Sequence, residues 1–311
     1  MTDFRQTGAW KRVKRVVLDP TRRFAAKAVF HDRIPLAWCE GRNWGDALSP
    51  ILVELLSGKK VFHAGGLHYN RYLVVGSILG DANERAEIWG SGFIREGQTV
   101  VGPPKAVHAV RGPLSRQMLL AQGIPCPEIF GDPALLLPMF FDPEVPKRHA
   151  IGVIPHYIDK NQPCIRECQL DPNVLVIDIE SGIEEFVRAV KSCDIVLSSS
   201  LHGLICADAY GVPRSWIKLS DAVYGGDFKF RDYGLSVGQA EPLAMNVGEL
   251  GDIYSAARAA ARIKVRVDTS RLLLSCPFLS DELQVECELR LHHRTPQARR
   301  QLGTPSSTPE T

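Results

Sequence analysis

The chain has no long apolar run. The longest, residues 134–141, is interrupted by Pro138 and far too short to span a bilayer, and no secretory signal is read, so a cytoplasmic location is expected. Pairing signals among the cysteines are also missing. The eight cysteines are scattered, and only Cys164 and Cys168 lie close together, without a second Cys or His pair at zinc spacing. Reduced thiols and no metal site follow. Nor does one sign of charge dominate the body. The first 33 residues hold nine Lys or Arg against three Asp, and the tail from Glu288 holds four Arg against two Glu; with +2 for the whole chain, the part between carries −6. A mildly acidic body without a basic, aromatic-interleaved face excludes a general nucleic-acid binder.

At 311 residues and 45% hydrophobic content, the chain can bury a substantial core and has the length at which one core divides into two. Residues 1–33 form a basic amphipathic arm in which 10–17 alternate basic and apolar residues. Asp19 and Pro20 then open a helical piece with Phe24, Ala25, Ala28 and Val29 on one side. Such an arm is either attracted to an anionic membrane surface, which would make the protein peripheral on the inner membrane face, or solvated and packed on the body. From residue 34 the pattern becomes strand, turn and helix: strand 34–39, turn 40–46, a helix from Ser49 or Pro50 to Leu56, strands near 73–75, 87–89 and 107–110, and a helix ending at Gln122. After a proline-rich linker at 138–147 the pattern restarts with strands 150–154 and 174–177, helix 182–192 and strand 195–198. A weaker helix covers 253–263, and the Pro/Ser/Thr ending from Thr295 reads as disordered. Alternation of this kind gives an α/β fold of two Rossmann-like, doubly wound domains, 34–145 and 146–265, with an extension over 266–311.

The most informative stretch is 194–213. Ile195, Val196 and Leu197 form a short apolar strand, three serines follow, and Leu201 to Tyr210 reads as a helix ended by Gly211 and Pro213. A strand-to-helix turn offers unpaired N–H groups and the positive end of a helix to an anion, with the serines and His202 beside it. Ligands in such sheets sit at the carboxyl ends of strands. Asn43 to Asp46, Ser91, Arg111, His156 and His202 all occupy turns of that kind.

Eight segments in order, Asn43-Trp-Gly-Asp46, Ile88-Trp-Gly-Ser-Gly92, Val110-Arg-Gly-Pro113, Gly131-Asp-Pro-Ala-Leu135, Ile154-Pro-His-Tyr157, Ser198-Ser-Ser-Leu-His-Gly203, Ala209-Tyr-Gly-Val-Pro213 and Phe228-Lys-Phe-Arg-Asp-Tyr233, resemble the polysaccharide pyruvyl transferase family. The likeness is greatest to the ketal pyruvate transferases of bacterial exopolysaccharide assembly, of the succinoglycan and xanthan kind. The resemblance implies a GT-B-like pair of domains facing a cleft, phosphoenolpyruvate as donor substrate with no further cofactor, and a sugar diol or lipid-linked oligosaccharide as acceptor. It also implies His202 as the acid and Arg111 as a donor ligand. Some family members carry an arginine just before the Leu-His pair, where this chain has Ser200. Donor charge then falls to Ser199, Ser200, the N–H of Leu201, and Lys229 or Arg231. Asn43, Ser91 and His156 are assigned to the acceptor, and Asp46 to the proton of the attacking hydroxyl.

Each of these has a plainer reading. Arg111 could form a structural ion pair, Asp46 could hold its turn, His156 could cap the sheet, and Asp132 caps the helix after Pro133. For His202 the helix end disfavours imidazolium by only ~0.3–1 kcal/mol, whereas a bound phosphate raises a base by ~1–3 pKa units, so the acid role is compatible with the turn. Two other functions compete. A nucleotide-sugar glycosyltransferase would need a ribose-binding carboxylate where this chain has Cys206, and a non-catalytic scaffold of a polysaccharide assembly complex would have no use for His202 and Arg111 together.

Overall fold

The computed structural model describes residues 32–279 apart from 42, 67–68 and 261–264, together with residue 285. The basic arm and the terminal extension beyond 279 thus lie almost wholly outside the described residues. Two parallel sheets of five strands carry the fold. The first comprises β1 (Ile34–Ala37), β2 (Val61–His63), β3 (Arg71–Leu73), β4 (Ala86–Trp89) and β5 (Ala106–Ala109), in the order β2-β1-β3-β4-β5. The second comprises β6 (His149–Ile154), β7 (Val174–Val176), β8 (Cys193–Ser198), β9 (Arg214–Lys218) and β10 (Met245–Asn246), in the order β10-β9-β8-β6-β7. Strand pairs within both sheets run parallel, as the apolar runs and helical crossovers require. The inner strands β6 and β8 end in buried residues, Gly152 to Ile154 and Val196 to Ser198.

The helices are α1 (Trp44–Ser57), α2 (Pro113–Ala121), α3 (Pro163–Leu170), α4 (Ile183–Lys191), α5 (Leu201–Ala209), α6 (Phe228–Ser236), α7 (Leu250–Ala260) and α8 (Ser270–Leu274). Helix α1 starts five residues before the expected Ser49. Pro50 suggested a first helical position, but Asn43 is the N-cap, its side chain accepting from the Gly45 N–H, and Pro50 lies inside the helix. Strands β2, β9 and β10 and helices α3, α6 and α8 had no expected counterpart, and α7 begins three residues before the 253–263 pattern.

The expected linker at 138–147 begins later than its prolines suggested, since residues 141–148 hold no helix or strand but the first two residues of the expected span are helical. Pro138 belongs to a 3-10 helix, Pro133–Met139, whose first six residues are buried. That helix joins a single apolar cluster running through both halves, from Leu36, Trp44 and Leu52 to Phe186, Val190 and Ile205. Trp44 lies against Phe186 with ring centroids 5.2 Å apart, and its backbone N–H donates to the Ile179 carbonyl at 2.8 Å. Apolar packing therefore joins the two halves directly.

Candidate active site

The site begins where β8 ends. Ser200 has extended backbone angles and N-caps α5 without a side-chain capping bond; the Gly203 and Leu204 N–H groups donate to the Ser200 carbonyl at 3.1 and 3.3 Å, while those of Leu201 and His202 come before the first intrahelical bond. The glycine after His202 has a packing cause: a Cβ on Gly203 would stand 2.3 Å from the Ser198 hydroxyl. Ser199 is committed to holding the neighbouring loop. Its hydroxyl donates to Asp159 Oδ2 at 2.9 Å and accepts from the His156 N–H at 2.8 Å. Leu201 places its side chain in the core and brings only its N–H to the helix end.

His202 projects from the second position of α5 onto the start of α1. Its ring lies so close that a Cβ on Gly45 would come within 2.2 Å of the ring, which explains glycine in Asn43-Trp-Gly-Asp46. Nδ1 is 3.3 Å from Asn43 Oδ1, and the buried Nε2 has no partner among the described residues. Burial, followed by the charges of Arg111, Lys229 and His156, pushes the His202 pKa down to about 3. The ring is neutral in this state.

Two groups of opposite charge share this space. Burial raises the Asp46 carboxyl to about 6, with Lys229 opposing the shift. Burial and then Arg111 lower the Lys229 ammonium to about 8, with Asp46 opposing. Lys229 Nζ donates to the Tyr224 carbonyl at 3.0 Å and lies 5.5 Å from the Phe230 ring centre. His156 is buried and lowered to about 4 by desolvation and by Lys229, with Asp159 opposing. Its ring leans on the exposed ring of Tyr157, centroids 4.2 Å apart.

Arg111 is placed otherwise than as an open anion clamp. It is fully buried, with Nε 3.2 Å and Nη2 3.1 Å from Asp232 Oδ2, while Nη1 donates to the Ser77 hydroxyl and Nη2 to the Phe93 carbonyl, both at 2.6 Å. Asp232 also accepts from the Ser115 N–H at 2.9 Å and the Ser115 hydroxyl at 2.7 Å. This network ties α6, and so Lys229, to the first half. Gly92 and Gly112 make room for it: a Cβ would stand 2.5 Å from Arg111 Cζ at the first and 2.0 Å from the Asp232 carbonyl oxygen at the second. Arg111 therefore reaches His202 through its charge, with three of its nitrogens occupied.

Arg231 is not gathered into the cluster, since it is exposed on a helix whose neighbours Lys229 and Asp232 are buried. Ser91 is fully buried, and its hydroxyl has no partner among the described residues. Asp132 caps the 3-10 helix through Ala134, as expected; burial raises it to about 6, and Oδ2 has no partner among the described residues. Three residues here had no place in the sequence expectations: Asp159, Ser220, whose hydroxyl donates to Asp159 Oδ1 at 2.5 Å, and Asp232. Only Asp232 carried a signal, its place in the Phe228–Tyr233 segment. Tyr233 in that segment and Asp208 are structural: Asp208 Oδ2 accepts from the Tyr233 hydroxyl and from Arg214 Nη2, both at 2.8 Å. Among the described residues no group of three His, Cys, Asp or Glu is gathered as a metal ion would need, and no helix is long and apolar enough to cross a membrane.

The model of the polysaccharide pyruvyl transferase family matches residues 43–220, more than half of the chain and the span that holds the Asn43, Arg111, His156 and His202 turns. The chain belongs to that family. An uncharacterised protein of Acanthamoeba polyphaga mimivirus is 32% identical over 200 residues, covering 61% of this chain and 69% of the viral protein. A solved structure of a functionally uncharacterised protein from Klebsiella pneumoniae aligns with 79% of this chain and 99% of its own, at 12% identity and a TM-score of 0.38. Family membership makes the chain a transferase with a pyruvyl transfer role in polysaccharide biosynthesis.

Proposed function

We propose that the chain transfers the pyruvyl group of phosphoenolpyruvate to two hydroxyls of one sugar, in an exopolysaccharide or its lipid-linked repeat, forming a cyclic ketal and releasing phosphate. The observation that carries the reading is the buried Nε2 of His202, without a partner among the described residues, beside a helix N-terminus, with a cation and a carboxylate that act on each other electrostatically, Lys229 and Asp46. In the balanced reaction the two sugar hydroxyls lose two protons. One ends on the enol methylene, which becomes a methyl group, and the other on the departing phosphate. His202 delivers a proton to the methylene, and donor phosphate nearby is what makes the imidazolium accessible. Asp46 takes the proton of the attacking hydroxyl. Lys229 and the first N–H groups of α5 hold the donor's charge, in place of Arg111, Ser199 and Arg231.

The two sheets are read as a GT-B-like pair, with donor on the second half and acceptor on the first. Cys206 is fully buried, so the position a ribose-binding carboxylate would occupy faces the core, which favours a nucleotide-free donor. The basic arm is proposed to hold the enzyme at an anionic cytoplasmic leaflet. Deletion of residues 1–33 should release it from anionic vesicles at low salt, and equal binding of both forms would remove the arm from this role.

The test of the reaction is incubation with phosphoenolpyruvate and synthetic or lipid-linked glycosides. Gain of one pyruvyl ketal in the product mass, with one phosphate released per ketal, is expected. Phosphate release without a pyruvylated product, or no reaction across a broad glycoside panel, would overturn the proposal.

A further inference from the structure

We propose that Asn43 is a positioning residue: reaching from the first half to the second, its side-chain carbonyl fixes the His202 proton on Nδ1 and leaves Nε2 as the working nitrogen. The assignment rests on the reading of His202 as the proton-handling group. It replaces the sugar contact that the family resemblance implied for Asn43.

The geometry decides the orientation of both side chains. The Gly45 N–H can only donate, and it donates to Asn43 Oδ1 at 3.1 Å, so that atom is the amide oxygen. His202 Nδ1 contacts the same oxygen at 3.3 Å. An oxygen can only accept, so Nδ1 carries the hydrogen and the neutral ring has its lone pair on Nε2. Nε2 is buried and has no partner among the described residues, a costly arrangement unless a ligand or water meets it. The ring cannot relieve that cost by sliding, because Gly45 lies directly against it. Any proton gained at Nε2 is passed on from Nε2, and the ring returns to its starting tautomer without turning over. The charged or titratable groups acting on the ring are Arg111, Lys229 and His156, none of which hydrogen-bonds to Nδ1.

The test uses the full chain labelled with 15N-histidine, in which the long-range 1H–15N pattern of His202 is identified by its loss in His202→Gln. A protonated Nδ1 and unprotonated Nε2 are expected in wild type. Asn43→Ser keeps a helix-capping oxygen but withdraws the amide, and His202 should then populate both tautomers. Asn43→Asp should keep the wild-type tautomer and raise the His202 titration by ~1–3 units, the effect of an adjacent opposite charge. In turnover, Asn43→Ser should lower kcat by ~10- to 100-fold, part of the ~10²–10⁴ that a positioned acid or base supplies, with both KM values within about twofold, and Asn43→Asp should recover most of it. A wild-type ring protonated on Nε2, a tautomer unchanged in Asn43→Ser, or a raised acceptor KM at constant kcat would overturn the assignment. Because the tautomer is read without turnover, failure of pyruvyl transfer would strike the functional reading and leave this result standing.

Discussion

Arg111 and Lys229 are both buried cations, and they differ in how their donors are occupied. The guanidinium meets a carboxylate, a hydroxyl and a carbonyl, and its partner Asp232 is further satisfied by Ser115. The ammonium has three N–H donors and, among the described residues, one carbonyl, with Asp46 acting at a distance. His202, whose Nε2 has no partner among the described residues, belongs with Lys229 in this respect. A fully paired buried group holds the fold together; a buried group left with unused donors or lone pairs is where a ligand repays the deficit. The contrast separates the scaffold from the proposed reacting centre, although both fall in segments that carry the family resemblance.

The sharpest break of the comparison is at His202. His202→Gln should lower turnover by ~10²–10⁴-fold while phosphoenolpyruvate still binds, measured by single-turnover product formation beside calorimetric titration of the donor. Turnover near wild type would move the proton chemistry elsewhere. On the paired side, Arg111→Ala should appear first as instability. Leaving Asp232 charged and buried costs about 3–5 kcal/mol, read from urea denaturation, and Arg111→Ala/Asp232→Ala should lose less than the two single losses summed. A fully stable Arg111→Ala that no longer binds phosphoenolpyruvate would restore the open clamp. Lys229→Gln should weaken donor binding by the ~1.5–3 kcal/mol of a charge-assisted hydrogen bond, roughly 10- to 150-fold, with the urea midpoint nearly unchanged.

How far the sequence disclosed this division depended on distance along the chain. Ile195 to Leu197 announces a buried strand by local composition, and Gly123 and Gly211 mark helix ends through their left-handed backbone, φ 75° and 67°. Local rules also misled. Pro50 drew the α1 start into the helix, although the Asn43 cap with the Gly45 N–H was present in the same turn. Pairings across the chain carried no local mark. Asp232 lies 121 residues from Arg111, and His202 lies 159 from Asn43, so an arginine that looks like a ligand and an asparagine that looks like a sugar contact cannot be told from structural partners by neighbours alone.

The rate should carry both limbs of the site. Below about 6, Asp46 takes a proton and can no longer accept one from the sugar; above about 8, Lys229 loses the charge that faces the donor. With the His202 titration that all variants share divided out, kcat/KM for phosphoenolpyruvate should therefore be bell-shaped, falling about tenfold per pH unit outside those limbs. Lys229→Arg should push the upper limb out of range and Asp46→Asn should remove the lower one. A profile flat from pH 5 to 9 would detach both groups from the reaction.

The smallest expected effect concerns stability, where the same centre works against itself. His202 and His156 have folded pKa values of about 3 and about 4, below the 6.5 of a free imidazole, so the unfolded chain takes up protons first and their contribution, complete above 6.5, declines as pH falls. Asp46 and Asp132 act in the opposite sense. Both are raised to about 6 from 3.8, so the folded chain holds protons that the unfolded chain has released, and their contribution is lost as pH rises through 6. Between pH 6 and 5 the two histidines and the two carboxyls nearly cancel. Wild-type stability to urea should then change little over that unit, which assigns the acid limb of the rate to chemistry. His202→Gln removes one arm of the balance, and the variant should gain about 1 kcal/mol relative to wild type on going from pH 6 to pH 5. Parallel wild-type and His202→Gln stabilities over that interval would show that the imidazole is not buried neutral against Asn43 and Gly45.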